Sequence, residues 1–156
     1  METEEIPFQE DTQEVKDIQP FWLKTKIEDM MKYGKKAVAS FPRRERQTAD
    51  EIRQCMLTMY RLVIRVERKY YKKTTLQELD IELDTLRHFI RLAHDKDYYD
   101  QKVPKKDSSG RIVKDADGKT VYVTMQPPLP MKKYEHWSSL LTEIGKILGG
   151  YMKAVK

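Results

Sequence analysis

The chain has 156 residues, 39% hydrophobic and 35% charged, with a formal net charge of +5. That length suits one domain whose core needs no metal or disulfide. A single cysteine, Cys55, excludes an internal disulfide and fits a reducing compartment, and no apolar run exceeds three residues, which excludes a bilayer-spanning helix.

Residues 1–20 carry seven acids and one lysine, so the positive charge is concentrated in the rest of the chain. A basic body points to polyanionic partners, nucleic acid before a membrane surface. The opening Met1-Glu2-Thr3-Glu4-Glu5 has the wrong charge and polarity for a signal peptide, so the expected location is the cytoplasm. Residues 1–17 show no period and read as an acidic flexible tail; residues 18–156 read as one helical domain.

A first helix is expected over about residues 20–40. Pro20 suits its first turn, and Leu23, Ile27, Met30, Gly34, Ala37, Val38 and Phe41 mark its packed side. Pro42 restricts the residue before it and ends the helix near Ser40. The connection Pro42-Arg43-Arg44-Glu45-Arg46-Gln47 is short and basic. Thr48 with Glu51 then forms the pattern of a capping box for a second helix over about 49–72. Ile52, Met56, Met59, Val63, Val66 and Tyr70 recur at alternating spacings of four and three, a single seam. Arg61, Arg65, Arg68 and Lys72 each follow a seam residue by two positions, about 200° of turn, and so face away from it.

Thr75 with Glu78 predicts a second capping box and a third helix over about 75–98, packed through Leu76, Leu79, Leu83, Leu86, Ile90 and Ala93. The short turn before it makes helices two and three antiparallel neighbours. Its outer face is mainly acidic, so it is not expected to meet phosphate. Residues 101–130 break the pattern. Arg111–Lys114 and Lys119–Thr124 read as two strands around Asp115-Ala116-Asp117-Gly118, a tight-turn sequence. The further oxygen ligands of a calcium loop do not follow. Pro127-Pro128-Leu129-Pro130 reads as a stiff spacer into a final helix over about 132–154, with Trp137, Leu141, Ile144, Leu148, Tyr151 and Val155 as its seam. Gly145 and Gly149 inside it clear one side for close helix approach. The predicted fold is all-α: an antiparallel up-down four-helix bundle with a β-hairpin-containing insertion between helices three and four.

The residues make no catalytic constellation. His88, His94, His136 and Cys55 are not at metal-ligand spacings, no glycine loop joins a strand to a helix, and no Glu-x-x-His pair is present. No cofactor, metal or enzymatic activity is expected. Among tyrosines that stand near cations, Tyr122 in the insertion is the best candidate for an exposed ring that stacks a base.

Three segments carry a family likeness: Ser40-Phe41-Pro42-Arg43, Leu86-Arg87-His88-Phe89-Ile90-Arg91-Leu92-Ala93 and Glu143-Ile144-Gly145-Lys146-Ile147-Leu148-Gly149-Gly150-Tyr151. The chain resembles the accessory variability determinant proteins of diversity-generating retroelements. It also resembles the wider four-helix-bundle family that includes proteins encoded in ribosomal-RNA intervening sequences. The similarity covers about residues 22–98 and 132–155. The resemblance implies a barrel-shaped pentamer of bundles that binds a reverse transcriptase and nucleic acid and supports mutagenic copying of template RNA into cDNA. It also implies protomer contacts through helix four, at Gly145, Gly149 and Tyr151. The acidic tail and the 101–130 insertion depart from the family pattern.

The nucleic-acid contacts expected on this reading are Arg61, Arg65, Arg68, Lys69 and Lys72, supported by Lys32, Lys36, Arg43, Arg44 and Arg46. Their role is phosphate contact without sequence reading. The alternatives are an interaction module of the intervening-sequence type, with no reverse-transcriptase partner, and a membrane-surface or toxin-like helical protein.

Overall fold

A computed structural model describes residues 20–68 and 72–155. The expected acidic tail over residues 1–17 lies outside the described residues, as do Lys69, Tyr70 and Tyr71. Four long helices make the body: α1 (Pro20–Ala39), α2 (Arg46–Arg68), α3 (Lys73–His94) and α4 (Met131–Ala154). Each packs on its two neighbours in a closed square, α1 between α2 and α4, and α3 between the same two. This is the up-down bundle that the seams predict, and the seam residues supply the core. Leu23, Ile27, Met30, Ile52, Met59, Leu76, Leu79, Leu83, Leu86, Ile90 and Trp137 are all fully buried. The Trp137 indole N–H points to the Met30 sulfur at 3.4 Å, so its one polar atom is not stranded in the core.

Helices α2 and α3 both start upstream of the threonines expected to cap them. α1 closes with the Ser40 hydroxyl donating to the Ala37 carbonyl at 2.8 Å. Pro42 then opens a 3-10 turn over Arg43–Glu45 that runs straight into α2. Helical geometry therefore starts at Arg46, and Thr48 and Glu51 already lie inside the helix. At α3 the chain enters through Lys72 with no side-chain cap, and Thr75 is buried within the first turn. α3 also ends earlier than expected. The Asp95 carboxylate accepts the Asp97 N–H at 2.8 Å, an Asx turn that competes with further helix.

One glycine sets how close the helices come. A Cβ built on Gly34 would stand 2.5 Å from the Met56 sulfur and 2.7 Å from the Trp137 ring. α1 thus approaches α2 and α4 at a spacing that only glycine allows.

The insertion holds the expected antiparallel hairpin, but its strands pair differently from the expected Arg111–Lys114 and Lys119–Thr124. Strand β1 (Lys102–Pro104) pairs antiparallel with β2 (Tyr122–Thr124), with Val103 opposite Val123. Beyond this ladder a third extended segment wedges between the two, bridged at Lys106–Ile112 and Lys114–Thr120. The three meet in a cycle: Lys105 N–H donates to Val121 O, Val121 N–H to Val113 O, and Val113 N–H to Lys105 O, all at 2.8–3.0 Å. The cause is an eight-residue repeat, Lys106-Asp107-Ser108-Ser109-Gly110-Arg111-Ile112-Val113 followed by Lys114-Asp115-Ala116-Asp117-Gly118-Lys119-Thr120-Val121. In each copy the Asp carboxylate accepts the N–H groups two and four residues on, at 2.9–3.0 Å. In each the glycine takes positive φ, 87° at Gly110 and 80° at Gly118. The second turn falls where the sequence places it; the β1 partner of the last strand is the part the sequence reading missed. The proline run is more than a spacer, because Leu129 is fully buried and its N–H donates to Ala93 O at 3.1 Å. It closes the bundle end.

Candidate nucleic-acid interface

Helix α2 exposes Arg61, Arg65 and Arg68, on the side away from its buried seam. No described carboxylate lies within ion-pair distance of any of the three. The same face carries apolar side chains that the sequence reading left out. Leu57 is 43% and Ile64 38% exposed. Leu57, Arg61, Ile64 and Arg68 follow one another at spacings of four, three and four, so they form a single stripe of alternating aliphatic and guanidinium groups. That spacing was present in the sequence and was the available signal. Beside the stripe, Met31, Lys32 and Lys35 of α1 and Arg53, Met56 and Leu57 of α2 line a shallow groove with an apolar floor and a cationic rim.

Lys72 does not extend the row. Its ammonium donates to the Tyr151 hydroxyl at 3.2 Å and sits 5.9 Å from the centre of that ring. Tyr151, expected at a protomer contact, is only 5% exposed and packs in its own bundle core. The two predicted residues therefore meet each other within one chain. Gly145 likewise serves the protomer. A Cβ there would stand 2.5 Å from the Arg87 guanidinium, which reaches across from α3 to donate to Leu141 O at 3.2 Å. Gly149 is different: nothing lies within 4 Å of where its Cβ would be, and α4 runs through it without a break.

The supporting cations sit elsewhere. Arg43, Arg44 and Arg46 are exposed at the opposite end of α2, with Arg46 about 22 Å along the axis from Arg61. Lys36 lies in the last turn of α1, at that same end, and Lys32 is one turn further in. Among the described residues Arg44 and Lys32 have only distant acids, Glu45 at 3.9 Å and Asp29 at 4.0 Å. Of the nine predicted residues that are described, Arg61, Arg65, Arg68 and Lys72 belong to one end of the bundle and Lys36, Arg43, Arg44 and Arg46 to the other, with Lys32 between them. The insertion leaves from the Arg43 end. It is tied there by the Tyr99 hydroxyl donating to Glu45 at 2.7 Å, and the Lys133 ammonium of α4 donates to Ser40 at 3.2 Å beside it.

Several groups titrate away from their ordinary values. Burial first, then the nearby Glu82, pushes the Cys55 thiol up to about 12. Burial, with the bond to Glu45, raises the Tyr99 phenol. The hydrogen bond to Glu67 raises Lys24, and that to Glu28 raises Tyr60. These pairs knit α1 to α2 and remove those groups from the free surface. Ser109 and the Arg111 N–H hold the Asp107 carboxyl below its usual range, so the turn stays ionised and formed. Among the described residues no three His, Cys, Asp or Glu side chains gather as a metal site, and no helix is long and apolar enough to cross a membrane.

These features define an antiparallel four-helix-bundle protein with cationic ends and a basic β insertion at one of them. The chain belongs to the bAvd-like family, whose model matches residues 21–112, more than half of its length. At family level it is an Avd-type accessory protein. The matched span holds α1, α2, α3 and the first repeat turn up to Ile112; the Glu143–Tyr151 segment of α4 lies beyond it. No curated protein and no solved structure matches the chain.

Proposed function

We propose that this protein is a non-catalytic, cytoplasmic partner of a retroelement reverse transcriptase. It binds the enzyme and nucleic acid, template RNA or cDNA, as a homo-oligomer, and supports mutagenic reverse transcription. The observation that carries the reading is the bAvd-like match over the helical core. Exposed arginines on α2 with no acid partner among the described residues support the nucleic-acid part. Arg61, Arg65 and Arg68 contact phosphate, and Arg43, Arg44 and Arg46 do so at the other end. A pentamer repeats both groups fivefold and turns modest patches into an extended cationic surface.

The second reading is a protein-interaction module with no transcriptase partner. It is favoured by Leu57 and Ile64, which interrupt the cationic stripe with aliphatic surface of the kind found at protein contacts. Co-purification with a retroelement reverse transcriptase, and RNA binding measured across a salt series, separate the two. The first reading expects a complex and a log–log salt slope of about −0.7 per single-strand phosphate contacted. RNA affinity that barely moves with salt refutes phosphate contact, and failure to co-purify refutes the partner.

A further inference from the structure

The β insertion has one face built for a polyanion, and the bundle does not require that face. By strand alternation, Lys102, Pro104 and Lys106 on one segment share a side with Tyr122 and Thr124 on the other. The pairings agree: Lys102 lies opposite Thr124, Pro104 opposite Tyr122, and Lys106 opposite Ile112. Lys114, opposite Thr120, continues the same side. The Tyr122 ring is 58% exposed and rests against no other aromatic among the described residues. Lys102 and Lys106 are about 13 Å apart along the strand, on either side of that ring's level.

Among the described residues these cations have no acid partner. Lys102 and Lys114 make hydrogen bonds only to threonine hydroxyls, Thr124 at 2.9 Å and Thr120 at 3.3 Å, and no described carboxylate forms an ion pair with any lysine or arginine of the insertion. Asp107 and Asp115 turn inward to accept the N–H groups of their own loops. The repeat thus supplies cations in a regular series, Lys106 and Arg111 around the first turn and Lys114 and Lys119 around the second, while Asp107 and Asp115 are held by their own turns and Asp117 stays exposed as an acid of the repeat. Lysine is depleted at protein–protein interfaces, whereas an exposed aromatic ring among lysines is the arrangement that takes unpaired bases.

We infer that this face of the insertion binds single-stranded nucleic acid, with Tyr122 stacked on an unpaired base and Lys102, Lys106 and Lys114 on flanking phosphates. This rests on the nucleic-acid part of the proposed function and adds a contact that the helices do not make. The insertion leaves from the end that bears Arg43, Arg44 and Arg46, so a strand held on it can continue onto those guanidiniums.

The test is fluorescence anisotropy of the full-length chain with a labelled single-stranded RNA of mixed sequence, and with its duplex. The expected result is tighter binding to the single strand. Tyr122→Leu weakens it about 5- to 150-fold, the range of one lost stack, while Tyr122→Phe keeps it. Replacing Lys102, Lys106 and Lys114 with Gln makes the log–log salt slope shallower by about 2. Wild-type binding that all these variants match overturns this inference alone and leaves the nucleic acid to the helices. Equal affinity for duplex and single strand overturns the stacking role. A wild-type chain that binds neither overturns this inference and the nucleic-acid part of the proposed function together.

Discussion

Alanine at each of three helical glycines has opposite expected effects, worked from the same geometry. In a helix interior Gly→Ala gains about 1 kcal/mol of propensity. At Gly149 the new Cβ meets nothing within 4 Å, so the gain is realised, about 0.5–1 kcal/mol. At Gly34 the new Cβ stands 2.5 Å from Met56 and 2.7 Å from Trp137. Met56 can swing, but the Trp137 ring is fully buried and cannot. Overpacking of that kind costs about 1–3 kcal/mol and outweighs the propensity, leaving a net loss of about 1 kcal/mol. At Gly145 the clash is with the far end of Arg87, which moves aside and gives up its bond to Leu141 O. That loss is about 1 kcal/mol and cancels the gain. Thermal melts followed by circular dichroism at one fixed protomer concentration should rank Gly149→Ala above wild type, Gly145→Ala level with it, and Gly34→Ala below. Neighbours in the series should differ by roughly 2–4 °C, the shift of about 1 kcal/mol in a chain of this length. A Gly34→Ala variant that melts at or above wild type refutes the close α1–α2–α4 approach. A Gly149→Ala variant that loses both stability and its oligomer places Gly149 in a protomer contact instead of open solvent.

Replacing Arg61, Arg65 and Arg68 with Glu should abolish the α2 share of RNA binding with helicity unchanged, since all three side chains are exposed; unaltered affinity in a filter-binding assay refutes their phosphate role. Cys55 should react with a thiol reagent at pH 8 only as fast as the chain opens, because the thiol is buried and its pKa lies near 12; labelling at the rate of a free thiol refutes its placement. Cys55 and Tyr99 both hold their protons more tightly folded than unfolded, so the stability they contribute is whole below pH 9 and drains as pH climbs through the alkaline range. Urea midpoints should therefore fall above pH 9, and Cys55→Ala should flatten that fall; an identical slope in the variant refutes the linkage. Tyr99→Phe removes the bond to Glu45 and should cost about 1 kcal/mol, read in the same urea titration.

The helices were legible because burial leaves a period in the sequence. Every seam from Ile52 to Val66 and from Leu76 to Ala93 sits in the core where its spacing puts it. The ends were not legible, because a cap is decided by what the chain does just outside the helix. Thr48 and Glu51 have the right spacing, yet Pro42 had already started a 3-10 turn that carries helical geometry past them. Thr75 has the right spacing to Glu78, yet α3 already starts at Lys73, which puts Thr75 inside the helix. Asp95 is the converse: its carboxylate stops α3 where the hydrophobic period alone would continue it to residue 98.

For the site, the sequence gives which face a charge occupies but not what stands across from it. Arg61, Arg65 and Arg68 were assigned correctly to the outer side of α2, because 100° per residue is enough to do so. Lys72 has the same spacing, but its partner Tyr151 is 79 positions away, and no period reports a contact between α4 and the entry to α3. Arg43 and Arg46 fall close to Arg61 in the chain and were grouped with it, although a straight helix carries them to the other end. The insertion reverses the problem. Its repeat has a period of eight residues, which neither a helical nor a strand template seeks, and its longest ladder joins Lys102–Pro104 to Tyr122–Thr124 across both copies. Helical rows report where arginines lie along a rod, whereas the repeat sets lysines at matching places in successive turns. The two cationic surfaces follow from different kinds of sequence order, and only the first is visible to a search for amphipathic faces.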